Sequence, residues 1–269
     1  ASTTEEGPCM DDLAEYNRQR WNELSRQGVE FGRPWLQLTA PEARRRIDPE
    51  GVLKEVAGLD VLLLAGGGGQ QSAAFGLLGA RVTVLDFSEA QLAADRQAAA
   101  HYDLQPALVH GDMRDLSCFG DGSFDLVWHA HSLGFVPDAR PVFGEVARVL
   151  RPGGLYRLSC NNPFTCRSDE KSWTGKGYVV DGPYRDGAER DPAPWEIWCG
   201  GDTPKCVEGP REFIHALATL VNVPLALGFR LLGAWEDGAG RIEDKPGSWS
   251  HFTAVLPPYL VFWWQRTTG

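Results

Sequence analysis

Four consecutive glycines between two apolar runs constrain the fold of this chain more than any other feature. The first run is Val61 to Ala65, directly before Gly66–Gly69, and the second is Arg81 to Leu85, followed by the acid Asp86. Apolar runs of this length are typical of buried strands, and the small-residue segment between them has the length of a helix. The pattern therefore predicts strand, tight turn, helix and strand, the first unit of a doubly wound α/β sheet.

The same turn predicts a ligand site. Glycines have no Cβ atom, so the backbone can approach a ligand closely, and the free N–H groups that open the next helix favour an anionic group. A carboxylate at Asp86 can accept hydrogen bonds from both hydroxyls of a ribose. A dinucleotide fingerprint, G-x-G-x-x-G, would need its third glycine at Gln71 or Ser72, so that pattern is incomplete.

Composition disfavours several classes of protein. With 36 acids against 26 bases the formal charge is −10, whereas phosphate-backbone binding needs a basic surface, so we expect no nucleic-acid partner. No apolar run has membrane-spanning length and no signal-peptide pattern opens the chain. We therefore expect a cytoplasmic monomer or homodimer with no membrane partner. None of the six cysteines forms a C-x-x-C pair, so we predict no metal; a thiolate site or a disulfide among them remains an alternative.

Strands and helices continue to alternate as far as about residue 160. A long segment then breaks the pattern, because it is rich in proline, glycine, tryptophan and tyrosine with few periodic apolar positions. Unstructured loops of this length are uncommon unless they form lids or binding loops, so we expect an insertion that shapes a substrate pocket. The elements expected elsewhere are a helix from Asp11 or Asp12 to Gly28, strands at 106–110, 124–129 and 155–159, a helix at 138–150, a turn at 151–154, a helix at 211–227 kinked at Pro224, and strands at 229–235 and within 251–265.

The first helix carries Leu13, Tyr16, Trp21 and Leu24 on one stripe. Such a stripe is typical of a helix packed on the main domain. The alternative is a lid whose aromatic side chains cover a bound cofactor.

Residues 58–160 resemble the class I S-adenosylmethionine (SAM)-dependent methyltransferases. The apolar strand, the glycine turn and the acid 17 residues after Gly69 fit the first motif of that family, and further family phrases follow in the expected order. There are two departures: Ala65 stands at the first glycine, and Leu63 stands where the family usually has an acid, so backbone carbonyls would hold the cofactor's amino group. The further phrases are Gly111-Asp112 with Leu116, Asp121-Gly122-Ser123-Phe124-Asp125-Leu126-Val127, Val136-Pro137-Asp138 and Arg148-Val149-Leu150-Arg151-Pro152-Gly153-Gly154.

The resemblance implies a Rossmann-like methyltransferase fold, α/β with a doubly wound, seven-stranded, mostly parallel sheet whose last strand runs antiparallel between strands five and six. It divides the chain into an N-terminal helical cap (1–50), a SAM-binding core (51–160), an insertion or acceptor lid (161–210) and the C-terminal part of the same α/β domain (211–269). It also implies SAM as cofactor, S-adenosylhomocysteine as product, and a small-molecule acceptor with apolar or aromatic surface. The cofactor-binding residues implied are Ala65, Gly66, Gly67, Gly69, Asp86, Phe87, Ser88, Gln91, Asp112, Met113 and His129.

Methyl transfer is an in-line displacement from an activated donor, so alignment and water exclusion supply most of the catalysis. A general base is needed only when the acceptor must lose a proton, and the candidates for catalytic roles are His129, His131 and Tyr16. The two histidines could instead be structural, or a metal pair that lacks an evident third ligand. A nucleic-acid methyltransferase, a non-catalytic SAM-binding protein and a nicotinamide oxidoreductase are the alternative functions.

Overall fold

The computed structural model describes residues 11–191, 194–197 and 203–267. The strands are β1 Asp60–Leu64, β2 Arg81–Asp86, β3 Ala107–His110, β4 Phe124–Ala130, β5 Leu150–Asn161, β6 Trp195–Ile197, β7 Lys205–Val207, β8 Phe229–Asp237 and β9 Tyr259–Arg266. The α-helices are α1 Asp12–Arg26, α2 Ala40–Ile47, α3 Gln71–Leu77, α4 Glu89–Tyr102, α5 Arg140–Val149, α6 Leu217–Ala226 and α7 Trp249–Val255.

Seven of these strands form one sheet in the order β3-β2-β1-β4-β5-β9-β8. The first five pair in parallel, and β9 runs antiparallel between β5 and β8. This arrangement confirms the doubly wound fold and the reversed last strand that the sequence predicts. The remaining two strands, β6 and β7, form a separate antiparallel pair within the insertion.

The sheet is built around β1 because its apolar residues are buried on both faces. Leu62 and Leu64 pack into one core layer and Val61 and Leu63 into the other, all with no exposed surface. Burial of each such side chain contributes about 1.5–3 kcal/mol, which fixes the strand at the centre. The chain leaves β1 towards β2 on one side while β4 lies on the other, so a crevice opens beyond the carboxyl ends of these strands.

Helix α1 is fixed to the domain by two buried asparagines. Asn17 donates to the carbonyl oxygens of Phe135 (3.1 Å) and Arg211 (3.2 Å) and accepts from the Arg211 N–H (2.8 Å). Asn22 accepts from Ser88 Oγ (2.8 Å) and the Ala90 N–H (3.0 Å) at the start of α4. The helix was predicted correctly, and these contacts make it a packed wall of the domain.

The second half of the chain differs from the sequence prediction in three places. The predicted helix at 211–227 begins only at Leu217, because residues 212–214 pair instead with 188–190 and Phe213 donates to the Gly134 carbonyl. The last strand begins after Pro257-Pro258, and the residues before it form α7. The predicted turn at 151–154 lies inside β5, where the pairing register shifts between Phe124 and Leu126.

The insertion packs on two different parts of the domain. Trp173 and Tyr178 lie against α7, where the Tyr178 hydroxyl is 2.7 Å from His251 Nδ1. Trp195 packs edge-on against Trp21 of α1. Trp198, Cys9 and Cys199 lie outside the described residues. The four described cysteines, Cys118, Cys160, Cys166 and Cys206, are free thiols.

Candidate active site

A cleft of about 610 Å³ lies beyond the carboxyl ends of the parallel strands. Small-molecule sites typically occupy about 300–1,000 Å³, so the cleft can hold a cofactor together with part of an acceptor. It is lined by loop residues that follow β1 to β5, by α1 and by the insertion. The lining residues used below are Leu13, Trp21, Phe31, Ala65, Gly66, Gly67, Gln70, Asp86, Phe87, Gln91, Asp112, Met113, Arg114, His131, Ser132, Phe135, Asn161, Arg190, Trp195, Glu212 and Tyr259.

The glycine loop approaches the acid at the end of β2 so closely that only glycine fits. A Cβ atom on Gly67 would lie 2.6 Å from Gln91 Cβ and 3.0 Å from Asp86 Oδ2. Gly68 and Gly69 have φ angles of +114° and +72°, which favour glycine. Ala65, at the family's first glycine position, also has a positive φ of +45°.

Asp86 is buried, with 5% of its surface exposed, and its carboxylate lines the cleft. Oδ2 accepts from the Gly67 N–H (2.9 Å) and Oδ1 accepts from the Ser88 N–H (2.8 Å). Burial raises the pKa of this carboxyl to about 6, against the two N–H groups that lower it. The carboxylate is therefore ionised at pH 7 and has lone pairs left to accept hydroxyl donors.

The neighbouring side chains leave an unpaired acceptor in the same wall. Gln91 Oε1 is buried and has no hydrogen-bond partner in the described part of the chain. Such an oxygen costs free energy unless a ligand donates to it. Together with the Gly67 cradle and the buried Asp86, this acceptor fits a nucleoside cofactor that carries hydroxyl and amino donors.

Asp112 is placed in the cleft but its carboxylate is already engaged. Arg114 Nε (3.0 Å) and Nη2 (2.6 Å) both donate to Asp112 Oδ2, and Nη1 donates to Asp11 at the N-terminus of α1 (2.7 Å). Arg114 thus ties the loop after β3 to α1. Phe87 and Met113 add apolar surface to the cleft lining.

Another part of the cleft lining is formed by polar residues from five separate segments. His131 has a positive φ of +56°, and its ring lies edge-on to Tyr259, with 4.7 Å between centroids. Glu212 pairs with Arg190 Nη1 at 2.5 Å and lies 3.5 Å from Asn161 Nδ2. The His131 side chain lies at the surface of the cleft, and protein atoms surround much of its ring. The resulting desolvation lowers the pKa of this histidine below its ordinary value. The imidazole is therefore neutral at pH 7, the form that can accept a proton, and the same desolvation makes it a weaker base than a solvent-exposed histidine.

One side of the cleft is an aromatic wall formed by Trp21, Phe31, Phe135 and Trp195. Trp21 meets Phe135 and Trp195 edge-on at 5.3 and 5.4 Å between centroids, and Phe31 meets Trp195 at 6.3 Å. Such a wall presents apolar surface that favours an aromatic or apolar ligand.

Nine of the predicted site residues line this cleft, and four do not. His129 is fully buried in β4 with Nδ1 2.9 Å from the Tyr156 hydroxyl, because the chain turns at His131 and only the later histidine reaches the cleft. Burial lowers the pKa of His129 to about 3. The Tyr16 hydroxyl donates to Glu208 Oε1 (2.7 Å), outside the lining. Ser88 caps α4 and donates its N–H to Asp86, and Gly69 packs against α4, where an added Cβ would lie 2.5 Å from the Ala94 carbonyl oxygen. The nine lining residues are Ala65, Gly66, Gly67, Asp86, Phe87, Gln91, Asp112, Met113 and His131.

Sequence reasoning missed the residues that reach the site from distant segments. Arg190, Glu212 and Tyr259 carry no local motif, and only the fold brings them to Asn161 at the end of β5. Asp95 was also missed, although an acid on the alanine-rich face of α4 was a usable signal. Within residues 11–191, 194–197 and 203–267 no group of three or more His, Cys, Asp or Glu could hold a metal ion, and no helix is long and apolar enough to cross a membrane.

A doubly wound sheet with a glycine loop and a buried acid at its switch point is typical of enzymes that bind a nucleoside cofactor. A methyltransferase-domain family model matches residues 62–158. The uncharacterized methyltransferase YbaJ of Bacillus subtilis (strain 168) is 33% identical over 250 residues, which cover 88% of this chain and 95% of that protein. A demethylmenaquinone methyltransferase of Clavibacter sepedonicus is 40% identical over 109 residues, 40% of this chain and 44% of that protein.

Solved structures show the same fold. A putative S-adenosylmethionine dependent methyltransferase from Listeria monocytogenes has a TM-score of 0.63 at 18% identity, covering 84% of this chain and 98% of that chain. An S-adenosylmethionine dependent methyltransferase from Mesorhizobium loti has a TM-score of 0.62 at 23% identity, covering 86% of this chain and 100% of that chain. The chain belongs to the class I SAM-dependent methyltransferases, and SAM is its cofactor.

Proposed function

We propose that this methyltransferase acts on a small molecule with apolar or aromatic surface. The observation that carries the proposal is the aromatic wall of Trp21, Phe31, Phe135 and Trp195 facing a cleft whose other end is polar. An acceptor could rest its apolar part on the wall and turn its reacting atom towards His131. The relatives named demethylmenaquinone methyltransferases support a small acceptor of this kind, and the acidic net charge disfavours a nucleic acid.

SAM supplies an activated methyl group when it is bound. We assign its ribose to Asp86, whose remaining lone pairs face the cleft, and its adenine to the apolar surface of Phe87 and Met113. The Asp112 carboxylate is engaged by Arg114, so it serves the adenine end by holding the loop after β3 in place. Gln91 Oε1 offers one further acceptor to this end of the cleft.

His131 is the general base in this proposal wherever the acceptor must lose a proton. Its ring is neutral at pH 7, lies at the surface of the cleft and packs edge-on against the Tyr259 ring. The strained backbone at this residue, with φ of +56°, turns the ring out of the line of β4. His129 takes no part, because it is buried against Tyr156.

The site is further enclosed by α1 and the insertion, which exclude water from the displacement. We retain a cytoplasmic location, as monomer or homodimer, as part of the proposal. The test is transfer of a labelled methyl group from SAM to a panel of phenols, hydroquinones and amines, with duplex DNA and total RNA alongside. Labelling of a small aromatic compound supports the proposal. Labelling confined to a nucleic acid would contradict it.

A further inference from the structure

A second buried acid, Asp95 of α4, lies directly beneath the glycine loop. Its side chain has no exposed surface, and it accepts three hydrogen bonds from the loop and the helix that follows. Oδ2 accepts from the Gly68 N–H at 3.0 Å, and Oδ1 accepts from the Gly69 N–H at 3.1 Å and from Ser72 Oγ at 2.5 Å. The Gly68 N–H also lies 3.2 Å from the Gln91 carbonyl oxygen. Asp95 is thus the main anchor of the loop from below.

Burying a carboxylate is costly unless donors compensate it. Desolvation, together with the nearby charge of Asp86, raises the pKa of Asp95 to about 7 even though three donors oppose the rise. A residue that served only to fill space here would be apolar, as its neighbours Ala94 and Ala98 are. The acid is placed where it can fix the direction of two successive peptide groups.

The direction of those peptides decides which polar atoms the loop offers to the cleft. In a trans peptide the N–H and the preceding C=O point to opposite sides of the chain. Because the N–H groups of Gly68 and Gly69 point down to Asp95, the carbonyls of Gly67 and Gly68 point away from α4. Gly67 lines the cleft, so its carbonyl is on the side where a ligand lies.

The first strand has no acid at position 63 for the same purpose, and its one acid, Asp60, pairs with Arg81 and Arg151 at the opposite end of the strand. Position 63 is a leucine with no exposed surface, packed in the apolar layer with Val61 and Phe75. We propose that Asp95 is a positioning residue for the cofactor: it turns the Gly67 carbonyl towards the cleft, where this oxygen accepts a hydrogen bond from the ammonium group at the methionine end of SAM. This inference rests on the assignment of the cofactor to this cleft.

Asp95 is expected to affect binding of only the amino-acid end of the cofactor, so the test compares a ligand that carries this end with one that lacks it. S-adenosylhomocysteine carries the amino-acid end, and 5′-methylthioadenosine lacks it. Asp95→Asn keeps the shape of the side chain but places an NH₂ group opposite one of the loop N–H groups. Because two donors then face each other, the peptide groups of the loop should no longer be held in their present orientation. We expect calorimetry to show S-adenosylhomocysteine affinity reduced about tenfold or more, with 5′-methylthioadenosine affinity within about twofold of wild type.

Glu50→Gln is the matched control. Glu50 is a carboxylate whose side chain is 7% exposed and pairs with Arg157 at 2.8 Å, away from the cleft lining, so its loss should lower stability without changing either affinity. Ser72→Ala removes one of the three donors to Asp95 and should weaken S-adenosylhomocysteine binding selectively, by a smaller factor than Asp95→Asn. This variant replaces Asp95→Asn if the latter fails to fold.

Four results would overturn the inference. If folded Asp95→Asn binds S-adenosylhomocysteine like the wild type, Asp95 is structural. If it loses both ligands equally, or if Glu50→Gln shows the same selective loss, the effect is not one of loop direction. If the wild type binds neither ligand, the cofactor assignment itself fails, and that result is distinguishable from the others.

Discussion

Removing the Asn17 side chain should weaken the attachment of α1 without disturbing the cofactor end of the cleft. Asn17→Ala leaves three backbone groups without their partner, namely the carbonyls of Phe135 and Arg211 and the N–H of Arg211. Each buried group left unpaired costs about 1–3 kcal/mol, and partial rehydration at this surface helix brings the total to about 3 kcal/mol. For a chain of this size that corresponds to a Tm lower by roughly 6–12 °C.

Thermal unfolding followed by circular dichroism measures the loss, and calorimetry with S-adenosylhomocysteine measures the site. We expect the cofactor affinity of Asn17→Ala to stay within about threefold of wild type, because the glycine loop and Asp86 do not contact Asn17. Gln19→Ala is the control on the exposed face of the same helix, where Gln19 bonds Glu15 among the described residues, and should leave Tm unchanged. A Tm for Asn17→Ala equal to that of Gln19→Ala would refute the reasoning that buried asparagines hold α1 in place.

Three further predictions concern the loop and its two acids. Asp86→Ala should weaken S-adenosylhomocysteine binding about tenfold or more by calorimetry, since two ribose hydroxyls lose a buried acceptor; unchanged affinity would place the ribose elsewhere. Ala65→Gly should raise the free energy of unfolding by about 1 kcal/mol in urea titrations, because φ of +45° strains an L-residue; a loss of stability would show that the methyl group packs usefully. Burial raises the pKa of Asp86 to about 6 and of Asp95 to about 7 from 3.8, so their contribution to stability is present below pH 4 and lost as pH rises to 7. In Asp95→Asn the free energy of unfolding should therefore fall by about 4 kcal/mol less between pH 4 and pH 7 than it does in the wild type. If the free energy of unfolding of the variant depends on pH as in the wild type, Asp95 does not titrate in this range.

The parts of the fold predicted from sequence are those specified by local patterns. The glycine turn, Asp86 and the apolar strands are contiguous in the chain, so their residue types alone define them. The start of α6 was missed because residues 212–214 pair with a segment more than twenty residues away, and tertiary pairing overrides helix propensity.

In the candidate site, too, the residues specified by local patterns were predicted and those brought in by tertiary contacts were not. Residues of the first motif were located from spacing, whereas His129 was assigned to the site on the expectation that a strand residue at the right end would reach it. The positive φ at His131 turns the chain there and could not be foreseen from residue type, since only a small fraction of non-glycine residues adopt it and no local motif marks this one. Arg190 comes from an insertion without periodicity, and Glu212 comes from a segment predicted as helix, so no pattern marked either residue.

The most direct test of the account is calorimetric titration of the wild-type protein with S-adenosylhomocysteine and, separately, with NAD. Asp86, the Gly67 cradle and the unpaired Gln91 oxygen form one nucleoside site, and the dinucleotide fingerprint is incomplete. We predict saturable S-adenosylhomocysteine binding at one site per chain and no NAD binding. Saturable NAD binding without S-adenosylhomocysteine binding would contradict the account.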